Sequence, residues 1–83
     1  ALERRENADA LAALRHPTTR AIAAQIGSAP GLDQRALCEK TGLTPSLAHW
    51  HATRLEDAGV VQRQREGRHV RYYPGPAMRL LDA

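Results

Sequence analysis

The stretch Asp33–Val61, DQRALCEKTGLTPSLAHWHATRLEDAGVV, contains two helix starts and two helix stops. Asp33 is a good N-cap, because its carboxylate can take an otherwise orphaned backbone N–H. The helix it opens covers 34–41 and presents Ala36, Leu37 and Cys38 inward. Gly42 closes that helix and Leu43 plugs the turn. Thr44 caps the next helix, and Pro45 takes its first position, where a missing N–H costs nothing. This helix runs to about Ala58, and Gly59 stops it. Two helices joined by a short glycine-containing turn have the spacing of a helix-turn-helix.

Downstream the period changes. Val60-Val61 opens a strand, Glu66-Gly67 makes a turn, and Val70, Tyr72 and Tyr73 lie on a returning strand, which together read as a β-hairpin. Pro74-Gly75-Pro76 breaks it, and 77–82 forms a last helical turn or a stub cut short. Upstream, residues 2–15 read as helix, with Leu2, Ala8, Leu11, Ala12 and Leu14 among charged residues. His16-Pro17 ends that segment, since the residue before proline leaves the α region. A second helix starts at Pro17 or Thr18 and carries Ile22, Ala23 and Ile26 on one face, with Gly27 as its stop and 28–31 as a loop. The expected fold is mostly α with a small β-hairpin: a winged helix-turn-helix of three to four helices and a two-stranded wing.

The chain has 83 residues, enough for one domain that buries roughly 60–65% of its unfolded surface. With 42% apolar and 25% charged residues, disorder throughout is excluded. A two-domain enzyme with a large cleft is excluded by length. The sequence has no glycine-rich phosphate loop and no plausible nucleophile–base pair, so no enzyme and no cofactor is expected. One cysteine, Cys38, cannot make an internal disulfide, and a reducing compartment, the cytoplasm, is the default expectation. No apolar run is long enough to span a bilayer, and no membrane partner is expected. The chain starts at Ala1, which reads as trimming or as an excerpt of something longer; residues 1–83 are taken as a single domain.

The net charge of +3 is localised. Residues 60–73 hold Arg63, Arg65, Arg68 and Arg71 against one acid, Glu66, while the bases and acids of the remaining chain balance. Such a stripe reads as a surface for phosphate, or as a solvated charged hairpin. On the fourth helix, Ala48, Ala52 and Leu55 share a stripe with His51 at its edge, at about 100° per residue. The opposite side carries Ser46, His49, Trp50, Thr53, Arg54 and Asp57. Ser46 and His49 can hydrogen-bond bases, whereas Thr53 and Arg54 suit phosphates. Asp57 would be repelled by phosphate, so the end of the helix lifts away from a duplex. Trp50 has three readings: contact with sugars or thymine methyl groups, packing against a partner subunit or the wing, or folding back on its own surface. His49 and His51 point about 200° apart and cannot chelate one ion, so no metal site is expected.

These residues resemble the ArsR-type (ArsR/SmtB) winged-helix repressors over about 10–73. The stretch Gly42-Leu43-Thr44-Pro45-Ser46, then His51, then Leu55-Glu56-Asp57-Ala58-Gly59-Val60-Val61, is similar to that family's G-L-S-x-S…H-L-x-x-L-E-x-A-G-L-V pattern. Glu66-Gly67-Arg68 with Val70 and Tyr72 resembles its wing, and Ala13-Leu14-Arg15-His16-Pro17-Thr18 its A-L-x-x-P-T motif. The departures are Thr19 for a usual Arg, Ala52 for a usual Leu and Trp50 for an often basic residue. Asp33 and Arg35 stand where the family's metal sensors carry cysteines. Cys38 matches a position usually Ala, and core burial is its first reading. The resemblance implies a homodimer with the recognition helix (about 45–58) in the major groove of double-stranded DNA and the wing (60–73) on the backbone or minor groove. The family's C-terminal dimerisation helix is missing or only begun at Ala77–Leu81, so either residues 2–14 make the dimer or the chain is an excerpt. The candidate DNA-binding residues are Thr44, Ser46, His49, Trp50, Thr53, Arg54, Arg63, Arg65, Arg68 and Arg71. The expected function is DNA-binding transcriptional regulation. The alternatives are a winged-helix protein–protein module, with a partner protein at the Trp50 face, and an architectural DNA-binder with little sequence preference.

Overall fold

The computed structural model describes Leu2–Asp82, with side chains from Asn7 onward. The elements run α1 (Leu2–Arg15), α2 (Pro17–Ser28), β1 (Leu32–Asp33), α3 (Gln34–Thr41), α4 (Pro45–Asp57), β2 (Val61–Glu66), β3 (His69–Pro74) and a 3-10 helix (Pro76–Asp82). This is the winged helix-turn-helix expected. The caps work as the sequence indicates. Asp33 accepts from the Ala36 N–H at 2.8 Å, and Thr44 Oγ1 from the Leu47 N–H at 3.3 Å. Gly42 adopts φ 72°, a left-handed conformation that lets the α3–α4 turn reverse without a Cβ clash.

Two local expectations are corrected. Gly27 does not end α2; the helix runs on to Ser28, and the Ala29 N–H donates to the Gln25 carbonyl. The stretch between the 28–31 loop and α3, expected to hold only the Asp33 cap, also forms β1, which pairs antiparallel with β3 in the register Leu32↔Tyr72 and Asp33↔Arg71. The sheet thus has three strands in the order β1-β3-β2. A two-residue strand leaves no period in the sequence to read, and it exists only because β3 supplies its partner.

The core is built from Ala10, Ala13 and Leu14 of α1, Ile22, Ala23 and Ile26 of α2, Leu37 of α3, and Ala48, Ala52 and Leu55 of α4. Leu32, Val60, Val61 and Tyr72 close it from the sheet side. Tyr72 is the largest fully buried side chain among the described residues. On α1 the inward face is Ala10, Ala13 and Leu14, so Leu11 is left outside; the Leu2 side chain lies outside the described residues. Cys38 is partly buried against the core.

The C-terminal segment is tied down by backbone. Gly75 N–H donates to the Val60 carbonyl and Ala77 N–H to the Gly59 carbonyl. A Cβ on Gly75 would stand 2.4 Å from the Gly59 oxygen, so only glycine permits this crossing. Arg20 donates to the Leu81 carbonyl, and Arg79 to Asn7 Oδ1, which docks the 3-10 helix on α2 and α1.

Candidate nucleic-acid interface

Helix α4 is held by its inner face. Ala48, Ala52 and Leu55 are 0–1% exposed, and burying such a Leu stabilises by roughly 1.5–3 kcal/mol. His51, expected at the stripe's edge, is only 6% exposed and shares a hydrogen bond of 2.9 Å between its Nδ1 and Thr19 Oγ1 of α2. Thr19 is fully buried and has a role the sequence did not reveal: it satisfies the one imidazole in the helix packing. The sign of that environment is clear. Burial, then the neighbouring His16, then Arg54, push the His51 pKa below its ordinary 6.5. The His16 and His51 ring centroids stand 5.5 Å apart.

The outer face of α4 presents the residues the wheel placed there. Ser46, His49, Trp50 and Arg54 are exposed and Thr53 is half-buried. Thr44 is exposed but already spends its hydroxyl on the helix cap. Trp50 is folded along its own helix: its ring meets His51 edge-on at 4.8 Å, and the Arg54 guanidinium carbon lies 5.0 Å from the ring centroid. About half of the indole still faces solvent, at 51% exposure. Leu47, which sequence reasoning passed over, is 49% exposed. Its position three residues before Trp50, about 60° away around the axis, was the available signal.

The hairpin turns at Gly67-Arg68. Gly67 has φ 62° and Arg68 an ordinary φ, the pattern of a type II′ turn, whose twist suits paired strands. The register pairs Arg63↔Tyr72, Arg65↔Val70 and Glu66↔His69. Side chains alternate along a strand, so Val61, Arg63 and Arg65 share one face with Tyr72 and Val70. Val61 is buried at the base of that face, and Arg63 pairs with Glu56 of α4 at 3.5 Å.

The four wing arginines divide into two kinds. Arg63 is held by Glu56. Arg71 is held twice, by Glu66 at 3.0 Å and by donation to the Gly31 carbonyl at 2.9 Å, which ties the wing to the loop before β1. Tyr73 also donates to Glu66, at 3.0 Å, and this bond, then burial, raise its pKa above the ordinary value. Arg65 and Arg68 are exposed and have no acidic partner among the described residues. The unneutralised charge of the wing therefore stands near its tip. Among the described residues no three His, Cys, Asp or Glu side chains gather as metal ligands, and no helix is long and apolar enough to cross a membrane.

The family model for winged helix-turn-helix DNA-binding domains matches residues 15–62. Over 62 residues the chain is 31% identical to the HTH-type transcriptional regulator YgaV of Escherichia coli (strain K12), covering 75% of this chain and 63% of that regulator, less than two thirds of its length. A crystal structure of a predicted DNA-binding transcriptional regulator from E. coli superposes with a TM-score of 0.81 at 25% identity, over 98% of this chain and 87% of that one. The homodimeric winged helix-turn-helix DNA-binding domain of a Mycobacterium bovis protein superposes with a TM-score of 0.86 at 21% identity, over 99% of this chain and 77% of that one. Both ArsR-like and MarR regulators share the architecture.

Proposed function

The chain belongs to the winged helix-turn-helix DNA-binding family, and from that premise we propose that it is a transcriptional regulator of double-stranded DNA. In this reading α4 enters the major groove and the β2–β3 wing lies on the backbone beside it. The observation that carries the reading is the combination of a helix face left free by its own core with two arginines on the adjoining hairpin, Arg65 and Arg68, that have no acidic partner among the described residues. Ser46 and His49 then meet base edges, and Thr53 and Arg54 meet phosphates. Arg65 and Arg68 meet phosphates from the wing, and Arg63 joins them if it exchanges Glu56 for DNA. Thr44 and Arg71 serve the interface by holding the helix start and the wing in place.

The finer assignment is to an ArsR-like repressor acting as a cytoplasmic homodimer. It is supported by the Gly42–Ser46 and Leu55–Val61 motifs and by the homodimeric state of the M. bovis domain that shares this fold. A dimer would read two half-sites about one helical turn apart.

The test is fluorescence anisotropy of a labelled random duplex titrated with this chain at two salt concentrations. Micromolar binding that weakens steeply with salt is the expected result, since each phosphate contact releases counterions. No binding at low salt would overturn the reading in favour of a protein-contact module.

A further inference from the structure

Among the described residues three large apolar side chains are exposed: Leu11, Leu47 and Trp50. A single exposed Leu needs no explanation. Two of the three, however, lie on one helix, three residues apart: Trp50 opposite the Ala48, Ala52 and Leu55 stripe, and Leu47 on its flank, about 105° round from it. Leu47 sits in the first turn of α4, the part of such a helix that approaches base edges. Trp50 follows about 4.5 Å further along the axis and about 60° around it. Arg54 lies against the Trp50 ring, which limits the indole's freedom and places a cation beside it. The same outward face has no Asn, Gln or Arg in its first two turns; its polar groups there are Ser46 and His49.

We propose that Leu47 and Trp50 form an apolar reading ridge that selects the C5-methyl group of thymine in the major groove. The proposal rests on the DNA-binding reading above and gives it a source of sequence preference. The major groove offers one apolar group, the thymine methyl; Leu47 has no hydrogen-bonding group, and Trp50 has only its Nε1–H donor beside a large apolar ring. Charge complementarity argues for DNA as the occupant. Arg54 of the same helix lies against the Trp50 ring, and Arg65 and Arg68 of the wing add exposed cations without acidic partners among the described residues, whereas an apolar protein partner would leave Arg54 to be desolvated or paired.

The experiment begins with duplexes selected from a random library by binding to this chain. Each selected sequence is then prepared twice, once with thymine and once with uracil, which lacks only the methyl group. The thymine duplex is expected to bind about three- to fourfold more tightly for each methyl contacted, the effect of burying one such group. Leu47→Ala and Trp50→Ala should each shrink that ratio, whereas Arg68→Ala should weaken both duplexes alike and leave the ratio intact. Both ridge residues are half-exposed, and melting curves will establish that the variants fold. Equal affinity for thymine and uracil duplexes, or a ratio that survives in both ridge variants, overturns the ridge while leaving DNA binding standing. Failure of every duplex to bind overturns both readings.

Discussion

On α4 the outward residues are carried by four inward ones: Ala48, His51, Ala52 and Leu55 are buried. On β2 only Val61 is buried, and the next five residues stand in solvent. The helix is positioned by close packing, which has few alternative arrangements. The hairpin is seated in the core only at its base, by Val61 and Tyr72, and beyond that it is positioned by its backbone ladder, a II′ turn and ion pairs at Arg63 and Arg71. Geometry is therefore built into the helix and charge into the wing. The division suits a molecule that reads bases with the start of α4 and holds phosphates with the wing and with Thr53 and Arg54 further along the helix.

The sharpest way to break this comparison is through the core. Leu55→Ala should cost about 2–5 kcal/mol of stability, because a fully buried Leu leaves a cavity the helix cannot close. Urea denaturation followed by circular dichroism measures it, and a loss under about 1 kcal/mol would mean that α4 is not seated as described.

Next is the Thr19–His51 bond. Thr19→Val keeps the shape but leaves the buried imidazole without its partner, an expected loss of about 1–3 kcal/mol. The same site predicts a pH dependence. The His51 pKa is lowered in the folded state, so below about pH 6.5 the unfolded chain binds a proton that the fold resists. Its contribution is complete above that pH and is lost as the pH falls toward the folded value. The urea midpoint should drop between about pH 7.5 and 5.5, and more in wild type than in a His51→Gln variant. Equal drops would remove His51 from the account.

Base reading comes third. His49→Ala or Ser46→Ala should cost roughly 1–3 kcal/mol at particular base pairs and little on random duplexes. Equal losses on both would take these residues off the reading face. The smallest effect belongs to the wing tip. Arg68→Ala should leave stability within about 0.5 kcal/mol and lower the salt slope of binding by about one, with sequence preference unchanged. A changed preference would place Arg68 on bases and undo the division between the two elements.

Much of the fold was legible because its signals are local. Asp33, Gly42, Thr44 and Pro45 mark helix ends by their own backbone and side-chain chemistry, and the Glu66-Gly67-Arg68 turn sets the hairpin. What was hidden depends on residues far apart in sequence. Leu32–Asp33 becomes a strand only against Tyr72 and Arg71, and Thr19 meets His51 across 32 positions. The candidate site shows the same limit. The outward face of α4 followed from its helical period, but the engagement of Arg63 by Glu56, and of Arg71 by Glu66 and Gly31, required the folded register. Leu47 was within reach of the wheel and was overlooked because apolar residues are read first as core.

Trp50 is the chain's single tryptophan and stands on the face assigned to DNA, so its fluorescence reports on that face alone. Acrylamide quenching of Trp50 should be measured with and without a saturating duplex. The account predicts that DNA shields the half-exposed indole, so that quenching falls and the emission shifts. Saturated binding with quenching unchanged would mean that DNA meets the molecule elsewhere, and the role given to α4 would be contradicted.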